Sequence, residues 1–213
     1  MKIKSVMFGM VFGLGLMISL AAPIMSPEAV SAADQSRFSF AGKGASAGWT
    51  TCPEVAPGDV CTDTFMYMAE QRVRENGQKY GNEFLHIDQF MYSFDEEWNF
   101  TFLGSRTGEV EVDFSINKKL DNASVSADVP VVECMDTCED NVVHVDASWT
   151  ATGPSVKSKS KSHVISDGVK YHSSGSGTFR PASAEAMVDG EDVGTLYWAD
   201  LFNSKYSEVV ITK

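Results

Sequence analysis

An all-β fold, an antiparallel β-sandwich or barrel of about ten strands, is predicted by three features of this 213-residue sequence. Apolar residues alternate with polar ones at period two in segment after segment. Turn residues, Gly, Asp and Asn, separate those segments at intervals of roughly 8 to 15 residues. A helical period surfaces in only one stretch.

Taken in order, the first strand places Phe38 and Phe40 and, after glycines, Ala45, Ala47 and Trp49 at alternate positions. The segment Met66 to Asn76 offers the one helical alternative, through Met66, Ala69, Val73 and the Glu70/Arg74 pair. Its first half is nonetheless read as strand, because Thr62 to Met68 is rich in Thr and aromatic residues. An aromatic hairpin follows. Phe90, Tyr92 and Phe94 alternate before the polar tip Asp95-Glu96-Glu97, and Trp98, Phe100 and Phe102 alternate after it. A three-residue connection would pair Phe94 with Trp98, Tyr92 with Phe100 and Phe90 with Phe102, gathering six rings on one face. That face is expected to be core, since six exposed rings invite aggregation; the alternative is a stacking platform for sugars.

Val110, Val112, Phe114 and Ile116 form the cleanest half-buried alternation. Ala123 to Val131, Val143 to Trp149, and Ala182 to Val188 repeat it, and Tyr206 to Ile211 closes the chain as a paired strand. A second hairpin turns on Asp167-Gly168, the composition of a type I′ turn. Counting outwards sets His163 opposite His172. Two opposed imidazoles suggest a Zn²⁺ or Cu²⁺ site, but Lys161 and Lys170 share their face and no third ligand is in view, so a solvated pair is expected. Lys157, Lys159 and Lys161 alternate with serine just upstream. They either deter edge pairing, the favoured account, or bind an anionic extracellular or cell-wall polymer. The acidic loops at residues 95–97, 136–140 and 189–192 are read as solvated turns rather than Ca²⁺ sites.

The ends of the sequence bear on compartment. Lys2 and Lys4 precede an uncharged run from Ser5 to Met25, and Val30-Ser31-Ala32 places small residues where a signal peptidase reads. Residues 1–32 are therefore expected to be a cleaved signal peptide and residues 33–213 a single β-rich exported domain, with no membrane attachment after cleavage. An exported chain with four cysteines is expected to form two disulfides, and the local pairs Cys52–Cys61 and Cys134–Cys138 are favoured because each would staple a polar loop. The expected location is extracellular, periplasmic or in the cell-wall space.

Losing Lys2, Lys4 and Glu28 with the leader takes the net charge from −12 to −13. That charge argues against nucleic acid as a partner. The sequence carries no nucleophile elbow, zinc-protease motif or phosphate loop, and nothing in it calls for a cofactor. The expectation is a secreted, non-enzymatic binding or surface module of unknown ligand. Two alternatives stand beside it: a secreted hydrolase with a spatially assembled site, and a barrel carrying a small apolar ligand.

Overall fold

The computed structural model describes residues 35–212, so the expected signal peptide lies outside the described residues. The strands are β1 (Gln35–Thr50), β2 (Val60–Glu75), β3 (Gln78–Phe94), β4 (Phe100–Glu111), β5 (Ser115–Ile116), β6 (Asn122–Cys134), β7 (Cys138–Ala151), β8 (Val156–Ser166), β9 (Val169–Val188), β10 (Glu191–Asp192) and β11 (Thr195–Thr212). All pairings are antiparallel, and no helix occurs among the described residues. Following them from β1 through β2, β3, β4, β6, β7, β9 and β11 leads back to β1, so eight strands close a ring. β7 and β8 lie in succession along one side of β9, joined by a short irregular link at residues 152–155.

Closure gives the sheet an inside, and alternation decides what fills it. Ala45, Ala47 and Trp49 of β1, Met66 and Met68 of β2, Leu85 and Ile87 of β3, and Val143, Val145 and Trp149 of β7 are all buried there. Trp49 and Trp149 meet edge to face with ring centroids 6.5 Å apart. Their indole N–H groups donate to the carbonyls of Ala184 (3.3 Å) and Ser46 (3.1 Å), so two large rings are buried without stranding a donor. One end of this core is closed by polar groups. Gln89 donates to the buried Thr64 hydroxyl, and Arg106 bonds both Gln89 and Glu133. Gly44 sits where β1 and β2 crowd: a Cβ there would fall 2.0 Å from the Met68 carbonyl oxygen and 2.7 Å from the Phe202 ring. Only glycine fits that approach.

Both disulfides are local, Cys52–Cys61 and Cys134–Cys138, with Cα separations of 5.4 and 4.0 Å. Among the described residues no cysteine is free. The hairpin at Asp167-Gly168 has positive φ at both residues (49° and 81°), as a type I′ turn requires, and sets His163 opposite His172. The C-terminal residues Tyr206 to Ile211 pair on both sides, with β1 and with β9.

Three expectations are corrected. The stretch Val110 to Ile116 is not one strand: β4 ends at Glu111, residues 112–114 are irregular, and β5 pairs with β6 for two residues only. Its apolar side chains Val110, Val112, Phe114 and Ile116 still pack on the core, next to a β4–β6 ladder of only four residue pairs. Residues 66–75 are strand throughout, since β2 is held between β1 and β3.

The aromatic hairpin departs in both register and burial. Five residues connect its strands, so Phe94 pairs with Phe100 and Tyr92 with Phe102, while beyond a bulge at Met91/Tyr92 Phe90 pairs with Ser105. The Asp95 carboxylate draws this longer loop together by accepting from the backbone N–H groups of Glu97 and Asn99 and from the Asn99 amide. Phe90, Trp98, Phe100 and Phe102 are 41, 57, 60 and 55% exposed, and Tyr92 and Phe94 only half-buried. The reason is phase. Leu85 and Ile87 occupy the odd, inward positions of β3, which sends Phe90, Tyr92 and Phe94 outward.

Candidate basic trough

Towards its second end the ring loses β4, β6 and β7 and continues as six strands, in the order β8, β9, β11, β1, β2, β3. Along that extension β8 pairs only with β9, and residues 78–82 of β3 pair only with β2. Two strand edges are therefore open. Cross-strand partners project from the same face, so each rung of the sheet is read directly from the register.

The innermost rung, Arg180, Leu201, Ala45, Met68 and Leu85, belongs to the core face. Two residues further along each strand, the same face carries Lys157, Thr178, Asn203, Lys43, Glu70 and Glu83. Lys43 pairs with Glu70 at 3.3 Å and donates to the Ile116 carbonyl at 3.4 Å, so an ion pair and the residues around β5 lie across the bottom of the trough. The next rung is Lys159, Ser176, Lys205, Ala41, Arg72 and Gly81, and the one after it is Lys161, Ser174, Ser207, Ser39, Arg74 and Lys79. The hydroxyls of Ser174 and Ser207 touch at 2.8 Å, as neighbours on one face must.

These last two rungs, together with Phe40, Val73, Tyr80, Ser160, Gly175 and Tyr206 between them, line a cavity of about 900 Å³. All six strands contribute to it, and by register the two cationic rungs share the strand face that carries the core residues Ala45, Met68, Leu85 and Leu201. Its six charged residues, Arg72, Arg74, Lys79, Lys159, Lys161 and Lys205, are all cations. Arg72 bonds Glu70 below it; among the described residues the other five make no ion pair. In a chain of net charge −12, six of the 17 Lys and Arg residues thus line one surface that carries no carboxylate. Serine hydroxyls interleave with them, and together they present N–H and O–H donors suited to phosphate, sulfate or carboxylate oxygens.

The other residues singled out in the sequence fall elsewhere. His163 and His172 form the rung beyond Lys161, with their rings stacked at 4.2 Å. Among the described residues no group of three His, Cys, Asp or Glu side chains is placed to hold a metal ion. The aromatic hairpin lies on the outward face, near the opposite end of the ring. His86 and His144 point outward too, each against carboxylates: His86 against Asp88 (2.9 Å) and Glu109 (3.7 Å), His144 against Asp128 (2.6 Å) and Asp146 (3.3 Å). Both are held above the ordinary histidine pKa, chiefly by the hydrogen bonds to Asp88 and Asp128 respectively. Tyr197, partly buried beside Phe65, has its phenol pushed up to about 12, chiefly by desolvation.

Sequence reading found the lysines of β8 but not their company. Arg72, Arg74, Lys79 and Lys205 stand far off in the chain, and only the ring closure through β11 and β1 brings them opposite Lys159 and Lys161. No family model, no curated protein and no solved structure matches the chain. Among the described residues no helix is long and apolar enough to cross a membrane, and two disulfides are compatible with an oxidising compartment.

Proposed function

We propose that the protein is a non-enzymatic binding domain of an extracellular compartment, and that it holds an anionic ligand in the basic trough. The supporting observation is the convergence of six cations, with no carboxylate among them, on one concave surface of an acidic protein. A cleft lined by one sign of charge raises the local concentration of opposite charge and speeds its capture. The favoured reading of Lys157, Lys159 and Lys161 as edge protection is compatible with this role, because β8 is an open edge and Lys159 and Lys161 also line the cavity.

Thermal melting at constant ionic strength tests the reading. Pyrophosphate or citrate should raise Tm above its value in chloride, since a ligand that binds only the folded state stabilises it by mass action. The triple variant K159Q/K161Q/K205Q should lose that rise. Melting indifferent to every multivalent anion would refute the reading.

A second reading rests on the exposed rings Phe90, Trp98, Phe100 and Phe102, which suit stacking against sugar faces. Trp98 reinforces it. A bulky residue is held at φ 64°, an unfavourable conformation, on the exposed loop.

A further inference from the structure

We infer that the trough takes a compact anion of three or more negative charges, such as a polyphosphorylated small molecule or the charged end of a chain, rather than a polyanion lying along the surface. The inference rests on the anion-binding reading above and adds the shape and valency of the ligand. Three observations carry it.

The cations converge instead of forming a line. Lys159 and Lys161 come from β8 at one rim, Lys79 from β3 at the other, and Lys205, Arg72 and Arg74 from strands between them, yet all line the same cavity. A volume of 900 Å³ is only about 12 Å across if roughly spherical, the scale of a small-molecule site. Along each strand the two cationic rungs stand about 6.7 Å apart, at 3.3 to 3.4 Å per residue, so one small ligand can meet both.

The trough is also blind towards the core. Lys43 bridges Glu70 and the Ile116 carbonyl in the rung beneath, and above the core end the Trp49–Trp149 pair fills the ring. A chain that enters from the mouth cannot continue into the core.

Finally, the charges are uncompensated. Five of the six cations make no ion pair among the described residues, and no acidic side chain lines the cavity to balance them. A single monovalent anion would leave most of that charge unneutralised, whereas a multivalent one answers several cations while losing the freedom of only one molecule.

Isothermal titration of residues 33–213 at fixed ionic strength distinguishes the cases, using inorganic phosphate, tripolyphosphate, inositol hexakisphosphate and long-chain polyphosphate as probes. Affinity should climb at least tenfold from phosphate to tripolyphosphate and hexakisphosphate. It should then level off, long-chain polyphosphate binding within about twofold of tripolyphosphate when counted per chain end. K161Q and R74Q, both in solvated positions of the outer rung, should each weaken hexakisphosphate about fivefold or more while leaving Tm without ligand unchanged. Affinity that keeps growing with chain length, with hexakisphosphate binding weakly, would overturn the compact ligand and leave the anion-binding reading standing. Binding of none of the four would overturn both.

Discussion

His86 and Asp88 stand two residues apart on the outward face of β3, their side chains 35 and 31% exposed, with Nε2 and a carboxylate oxygen 2.9 Å apart. The hydrogen bond from His86 is the chief cause that lowers the Asp88 pKa from 3.8, helped by the Thr107 hydroxyl. The bond to Asp88 is likewise the chief cause that raises His86 from 6.5. A raised histidine contributes its stability fully below the unfolded pKa and loses it as pH rises through the folded value. A lowered carboxylate contributes above its unfolded pKa and loses that as pH falls through the folded value. The pair is therefore worth most between about pH 4 and 6.5, and at this exposure the gain stays under about 1 kcal/mol. Titration of the His86 ring by NMR should give a midpoint above 6.5 in the native protein and a lower one in Asp88→Asn. An unchanged midpoint in the variant would mean that the contact does not form.

At the scale of single elements, the β3–β4 hairpin carries the sharpest test. Phe100 is 60% exposed and touches Tyr92 and Phe94 at ring distances of 5.7 and 5.8 Å. Phe100→Ala should cost about 1 kcal/mol or less, where a packed Phe would cost about 3 to 5. Urea unfolding measures the difference; a loss above about 3 kcal/mol would return the ring to a structural role. The outward placement was legible in the residues themselves. Leu85 and Ile87 occupy odd positions and Phe90, Tyr92 and Phe94 even ones, so a single unbulged strand cannot bury both sets in one core. The Val110 to Ile116 alternation was harder to judge, because the pattern records which side chains are buried and not whether the backbone finds a partner. The His163–His172 register, by contrast, followed from turn chemistry alone.

Across the whole molecule, the first and last strands of the ring are hydrogen-bonded to each other, from Gln35 with Ile211 to Thr50 with Thr195. Alternation could supply eight inward faces, but it contains no information on whether the last strand returns to the first, which is why sandwich and barrel looked alike in the sequence. The same closure hid the trough, whose cations come from four of the six strands. It also makes the end of the chain structural. Residues 206–212 fill the space between β1 and β9, and without them Phe38 and Phe40 would lose their cross-strand partners Glu208 and Tyr206. Val209, Val210 and Ile211 are each part-buried, so their loss together with two new open edges should remove about 3 to 5 kcal/mol. That is a large share of the 5 to 15 kcal/mol by which domains are ordinarily stable. Deleting residues 206–213 should therefore lower Tm by more than about 10 °C or prevent cooperative melting, and it should abolish the response to multivalent anions, because Tyr206 and Ser207 line the trough wall. A truncated chain that melts with the full one would show that the ring is held by its core end alone, through Leu201 with Ala45 and Ala199 with Ala47.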